Sequence, residues 1–253
     1  MKFLARVTDH ELSIRVLGAF AEGTPLTCRS GVGGDLWKDE IPVYYGILRG
    51  CGEAIKEDMK AGRPWVYIDH GYFTGDYYRM VVGGLHHRIP ENPKPANNSS
   101  GMTFAPLRDE PGGPMILVPP SAAVADFYGI GIEDWIGRCL SVFPSAAVST
   151  KAMGNLSVLM ESCRGLVTHS SQAAVKALTM GIPAWCTAER APVPNHGIYD
   201  RADLLGWLVE RQFTLKDIES GRHLGHLERE IKAYAGWNSS GKAAQASPSC
   251  PAE

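Results

Sequence analysis

The chain has 253 residues, of which 44% are hydrophobic and 21% charged, and its formal net charge is −2. That length suits one large or two small α/β domains with a sizeable core, and the charge balance excludes a uniformly basic nucleic-acid binder. No apolar run reaches the roughly 18 residues that span a bilayer, and the first six residues, soon followed by Asp9, are too short for a secretory signal, so a cytoplasmic protein with no membrane contact is expected.

Apolar patterning predicts a strand over 3–8 and a helix over 9–21 that Gly23 stops. The cluster Gly31-Val32-Gly33-Gly34 follows no convincing strand-helix unit and reads as a loop, not a dinucleotide fingerprint. A strand over 42–48, a charged amphipathic helix over 51–61 ended by Gly62, and a buried strand over 64–68 come next. This last strand runs into Asp69-His70-Gly71-Tyr72-Phe73, and polar residues at such a strand end sit where α/β sheets bind ligands. Asp69 then either caps a following helix or serves as the base that deprotonates an acceptor hydroxyl, with His70 as its orienter or substitute. Around it cluster Lys56, Lys60, Arg63, Arg79, His86, His87, Arg88 and Lys94, interleaved with Tyr72, Phe73, Tyr77 and Tyr78. Arg63, Tyr72, Phe73 and Arg79 are the candidates for acceptor contact, able in this setting to hold a phosphate backbone and an unstacked base. An ordinary mixed-charge surface shared with Glu53, Glu57 and Asp58 is the plain alternative.

Positions 91–113 turn to Pro, Asn, Ser and Gly and read as loop or linker. A second alternating block follows: strand 115–118, helices 120–128 and 132–143, strand 146–150 and helix 156–163. Its strand-end loops carry Ser121 and Lys151; Lys151 is expected either to neutralise a departing diphosphate or to lie on the surface. From Arg164 to Trp185 comes the most informative stretch: a strand over 166–168, a polar turn of His169, Ser170 and Ser171, and a helix with apolar residues at Ala174, Leu178 and Met180. Gly181 stops that helix and Pro183 opens a strand over 182–186. The first N–H groups of such a helix, with serine hydroxyls beside them, suit a phosphate, so Thr168, His169, Ser170, Ser171 and Gln172 are the candidate donor contacts. A serine that only caps the helix is the alternative. Helical segments over 201–213 and 215–235 are expected to pack back on the first block, and 237–253 reads as a disordered tail. The six cysteines show neither a Cys-x-x-Cys pair nor zinc-site spacing, and all are expected to be reduced.

The segment Ser170-Ser171-Gln172-Ala173-Ala174 through Ala177-Leu178 to Gly181-Ile182-Pro183 resembles the donor-binding segment of GT-B glycosyltransferases and capsule-type sugar transferases, and nucleotide-sugar epimerases of the same fold share it. The order of motifs over residues 43–222, from Asp69-His70-Gly71 through Pro119-Pro120-Ser121 and the serine pair to the segment from Gln212 to Gly221, resembles compact glycosyltransferase-like proteins of phages and prophages. The resemblance implies two Rossmann-like parallel-sheet domains facing a central cleft: an acceptor domain over 1–112 and a nucleotide-sugar domain over 113–236. It also implies a nucleotide sugar, expected to be a UDP-sugar, as co-substrate with no tightly bound cofactor. The leading acceptor is a 5-hydroxymethylated pyrimidine in DNA, and a surface glycan is the alternative. The chain lacks an Asp-x-Asp motif, so no metal is expected. An epimerase and a non-catalytic nucleotide-binding protein remain open beside the transferase.

Overall fold

The computed structural model describes residues 1–24, 28–31, 39–73, 75–96, 104–108, 112–149, 155–194 and 199–239. The chain begins β1 (Lys2–Arg6), α1 (Glu11–Gly23), β2 (Cys28–Gly31), β3 (Glu40–Tyr45), α2 (Cys51–Lys60), β4 (Val66–His70) and β5 (Tyr77–Val82). It continues with β6 (Met115–Val118), α3 (Ala122–Tyr128), α4 (Ile132–Val142), β7 (Ala147–Val148), α5 (Leu156–Glu161), β8 (Gly165–Thr168), α6 (Ala173–Thr179) and β9 (Ala184–Cys186). Last come α7 (Arg201–Val209), β10 (Gln212–Thr214), α8 (Leu215–Glu219) and α9 (Leu224–Ser239). No helix among the described residues is long and apolar enough to cross a membrane.

Two compact units divide these elements: residues 1–85 together with the described residues from Arg211 onward, and residues 86–210. The division therefore falls earlier than the expected boundary at 112, and the C-terminal helices join the first unit instead of the second. The physical reason is β10, which pairs antiparallel with β5, and the helices after it, whose Ile218, Leu227 and Ile231 enter the first core beside Phe3, Val16 and Phe20. The expected tail begins inside α9, and residues 240–253 lie outside the described residues.

The first unit holds a six-stranded sheet in the order β10-β5-β4-β3-β1-β2. It is mixed, which corrects the expectation of a purely parallel sheet: β1, β2, β3 and β4 are parallel, while β5 runs against both β4 and β10. Only residues 71–76 connect β4 to β5, too few for the crossover that parallel neighbours require, so the chain turns back as a hairpin. The helix that Asp69 was expected to cap is thus a strand, built from the aromatic and β-branched run Tyr77-Tyr78-Arg79-Met80-Val81-Val82.

The second unit holds a wholly parallel four-stranded sheet in the order β7-β6-β8-β9. One face packs Met115, Leu117 and Val167 against Trp135 and Cys139 of α4. Of the cysteines, Cys51, Cys139, Cys163 and Cys186 are buried free thiols, as expected of small core residues.

Gly181 ends the α6 segment with φ +75°, the left-handed geometry expected of a helix stop. A second constraint was not legible locally: a Cβ at this position would lie 1.9 Å from the carbonyl oxygen of Pro106. Gly181→Ala is therefore expected to destabilise the second unit by more than about 2 kcal/mol, combining left-handed strain with displaced backbone. Urea unfolding of the variant measures it, and a loss below about 0.5 kcal/mol would show that the 104–108 segment yields freely.

Candidate functional site

In the second unit, β6 leads through α3 and α4 to β7 on one side, whereas β8 leads through α6 to β9 on the other. Right-handed crossovers then place α4 and α6 on opposite faces of the sheet. Their loops part between the C-terminal ends of β6 and β8, which is the topological switch point where such sheets bind ligands. The register Val118↔Thr168 aligns the two strand ends, so Ser121 after β6 and the 169–172 turn after β8 flank one crevice. Residues far apart in sequence are brought together as expected.

Ser121 Oγ accepts the Val124 N–H at 3.3 Å and Ser171 Oγ accepts the Ala173 N–H at 3.1 Å, so both serines cap helices. Gln172 stands at the N-cap position of α6. Ser170 behaves differently: it is buried, and its Oγ lies 3.1 Å from His169 Nδ1. The turn is pinned from below because the carbonyls of Thr168 and His169 accept the N–H groups of Thr187 and Ala188, both at 2.9 Å. Thr168 is fully buried and its Oγ1 has no hydrogen-bond partner among the described residues. An orphaned hydroxyl costs about 1–3 kcal/mol, which a bound ligand can recover. Lys151 lies outside the described residues.

Three residues at this edge carry no local sequence signal. Trp135 Nε1 donates to Thr187 Oγ1 at 2.8 Å, tying α4 to the end of β9. The Tyr128 ring lies 5.0 Å from that of His169. Burial, aided by the charge of Arg138, pushes His169 down to about 4, so its imidazole is neutral at physiological pH. Arg138 is exposed on α4 and supplies a cation near the turn.

In the first unit the sequence candidates separate. Successive strand residues point to opposite faces, so Asp69 and His70 diverge, and the imidazole is not placed to orient the Asp69 carboxylate. Asp69 lies on the α2 face, where its Oδ2 accepts from Tyr67 Oη and from Arg79 Nη2, both at 2.8 Å, and its Oδ1 accepts the His70 N–H at 2.8 Å. Arg79 sits opposite Asp69 in the β4–β5 register and is buried. Its Nε donates to the Leu85 carbonyl at 3.1 Å, its Nη1 to the His70 carbonyl, and its Cζ lies 5.6 Å from the ring centroids of Tyr67 and Tyr72. Such a guanidinium is committed to holding the hairpin and offers no acceptor contact. Tyr72 is buried as well, and the N–H groups of Tyr72 and Phe73 donate to Gln212 Oε1 at 3.0 and 3.4 Å.

Arg63 is placed at the other end of the sheet. It precedes β4, so it lies near the N-terminal strand ends, where its Nε and Nη2 donate to Asp58 Oδ1 at 2.8 and 2.6 Å. Asp58 is buried and also accepts from Tyr44 Oη at 2.6 Å. The expected acceptor group of Arg63, Tyr72, Phe73 and Arg79 is therefore not assembled.

His70 remains at the ligand-binding edge. It is exposed, with Tyr45 Oη 3.5 Å from its Nε2 and the Tyr78 ring stacked at 6.1 Å. Burial, with the nearby Asp69 and Tyr78, pushes the Tyr45 hydroxyl up to about 12, so it stays protonated and can donate to the imidazole. This edge has its own switch point: β1 leads through α1 to β2, and β3 leads through α2 to β4 on the opposite side.

The sequence matches no protein family and no curated protein. Two solved structures are similar in three dimensions. One, the beta Kdo 2,4 transferase of Thermosulfurimonas dismutans KpsC, aligns over 83% of this chain and 90% of its own with 11% identity and a TM-score of 0.41. The other, the beta Kdo 2,7 transferase of the same protein, aligns over 90% of this chain and 100% of its own with 12% identity and a TM-score of 0.45. No residue role is carried over from either.

Proposed function

We propose that the chain is a glycosyltransferase of GT-B type that moves a sugar from a nucleotide sugar to a hydroxyl acceptor without a metal ion. The observation that carries the proposal is the switch-point crevice of the second unit, where Ser121, Thr168, His169, Ser170, Ser171 and Gln172 meet beside Arg138. A diphosphate fits that chemistry: helix N-termini and hydroxyls donate to its oxygens, and a cation offsets charge as it departs. The first unit supplies the acceptor chemistry. There His70, in place of Asp69, takes the proton of the acceptor hydroxyl as the oxygen attacks the anomeric carbon and the nucleoside diphosphate leaves.

The same reading keeps a UDP-sugar as the first donor to test, and a 5-hydroxymethylated pyrimidine in DNA beside a surface glycan as acceptors. Replacing Ser170 and Ser171 together by Ala is expected to weaken nucleoside diphosphate binding by about 1–3 kcal/mol, the worth of two hydrogen bonds to a charged group. Calorimetry on the folded double variant measures this, and unchanged affinity would remove the donor site. Incubation of the protein with nucleotide sugars and DNA containing cytosine or 5-hydroxymethylcytosine, followed by nucleoside mass analysis, separates the acceptors. Sugar found only on the modified base supports DNA.

A further inference from the structure

At the C-terminal edge of the first sheet, on the face covered by α1, Tyr45 and His70 end their strands and Tyr78 opens the reversed strand beside them. None of the motifs that point to a donor includes Arg15, yet its Nη2 donates to the Tyr78 hydroxyl at 3.0 Å. Tyr78 is buried, and its ring lies 6.4 Å from Tyr45 and 6.1 Å from His70. The guanidinium is thus anchored at one nitrogen while its side chain is exposed, and among the described residues that hydroxyl is its one side-chain partner. An anchored guanidinium with open N–H groups has lost much of its rotamer freedom and presents a planar fork that matches a carboxylate or a phosphate.

The surroundings limit what can bind. Glu11, one helical turn before Arg15, and Asp76, in the β4–β5 connection, both act on its charge, and Asp9 is paired with Arg49 at 2.6 Å in the neighbouring loops. One fork among carboxylates accepts a single oxyanion but repels a polyanion such as duplex DNA, whose binding draws on many neutralised phosphates. Beside the fork, His70 and the Tyr45 hydroxyl suit an uncharged hydroxyl, the imidazole accepting its proton and the phenol orienting the ring.

We propose that Arg15, Tyr45 and His70 form a site for a saccharide that carries one carboxylate or phosphate group close to a free hydroxyl, the guanidinium holding the oxyanion and the imidazole facing the hydroxyl. The site deepens the transferase reading, because it names the acceptor class, but its binding step does not depend on transfer.

The full chain, with histidine ring signals followed by NMR, is titrated with glucose, glucuronate and glucose 6-phosphate. Glucuronate or glucose 6-phosphate is expected to shift the His70 ring signal at concentrations where glucose leaves it unmoved, and the stronger of the two identifies the oxyanion. Arg15→Gln, at an exposed position, is expected to weaken that binding about tenfold or more, and Arg15→Lys to recover only part of it. Equal binding of glucose, or an Arg15→Gln variant that binds as before, overturns the site. So does Arg15-dependent binding of hydroxymethylated DNA in place of the saccharides. Loss of nucleotide binding or transfer with saccharide binding intact would instead overturn the transferase reading and leave the site standing.

Discussion

Removing either member of the Asp69–Arg79 pair is expected to unfold the first unit more readily, by about 3 kcal/mol, because the partner left behind keeps a charge with little access to water. Arg79 is nearly inaccessible and Asp69 only partly so, with side-chain exposures of 4% and 28%, which puts the larger cost on leaving Arg79 without its carboxylate. Denaturant unfolding of Asp69→Ala, Arg79→Met and the double variant should show a coupling of at least about 1.5 kcal/mol between the two positions. His70→Ala should instead leave stability within about 0.5 kcal/mol while lowering turnover about a hundredfold. The opposite pattern, a stable Asp69→Asn variant with lost turnover, would return the base role to Asp69.

The second large effect is loss of stability in acid. Burial pushes His223 and His226 of the first unit down to about 4, as it does His169 of the second; for His226 the Met80 carbonyl opposes the shift and Arg211, Arg229 and His223 add to it. Each ring is neutral in the native protein and takes up a proton on unfolding below its ordinary value near 6.5. Unfolded chains thus bind more protons between about pH 6.5 and 4, and stability must fall as pH falls through that window. The slope is up to about 1.4 kcal/mol per pH unit for each histidine, so the first unit, with two, is expected to lose up to about 3 kcal/mol per unit. Unfolding curves between pH 7 and 4 measure the slope, and His223→Phe, whose ring would keep the contact with Phe20 at 5.0 Å, should remove about one proton from it. A slope unaltered in that variant would mean that His223 is charged in the native state.

Much of the second unit was legible because its signals are local. The alternation of apolar runs with caps and stops places β6, β8, α6 and β9, and Gly181 marks a helix end wherever it occurs. What that alternation does not carry is Pro106 lying against Gly181, or Trp135 reaching Thr187, since each depends on a partner brought close only by folding. The first unit was misread where one strand of aromatic residues could serve either a ligand or a sheet. Tyr77-Tyr78-Arg79 has strong strand propensity, but its neighbours in the sheet are β4, beside it in sequence, and β10, more than a hundred residues later. Asp69 shows the same limit at one residue. A strand-end carboxylate suggests a base until its cross-strand partner is known to be Arg79, whereas exposure leaves the adjoining imidazole of His70 available.

The pairing of β10 with β5 also sets the order in which a nascent chain can mature. The first sheet lacks its outer strand, and its core lacks Ile218 and Leu227, until the ribosome has passed the whole of the second unit. Residues 86–210 can therefore collapse around their own parallel sheet while β5 still presents bare N–H and C=O groups to the surroundings. During that interval the hairpin carrying Asp69, Arg79 and His70 rests on a scaffold missing the Gln212 amide that holds residues 72 and 73. Maturation of the edge that holds His70 thus waits on the last strand synthesised, and a protease or a chaperone meets an adhesive strand first and a finished surface only at the end.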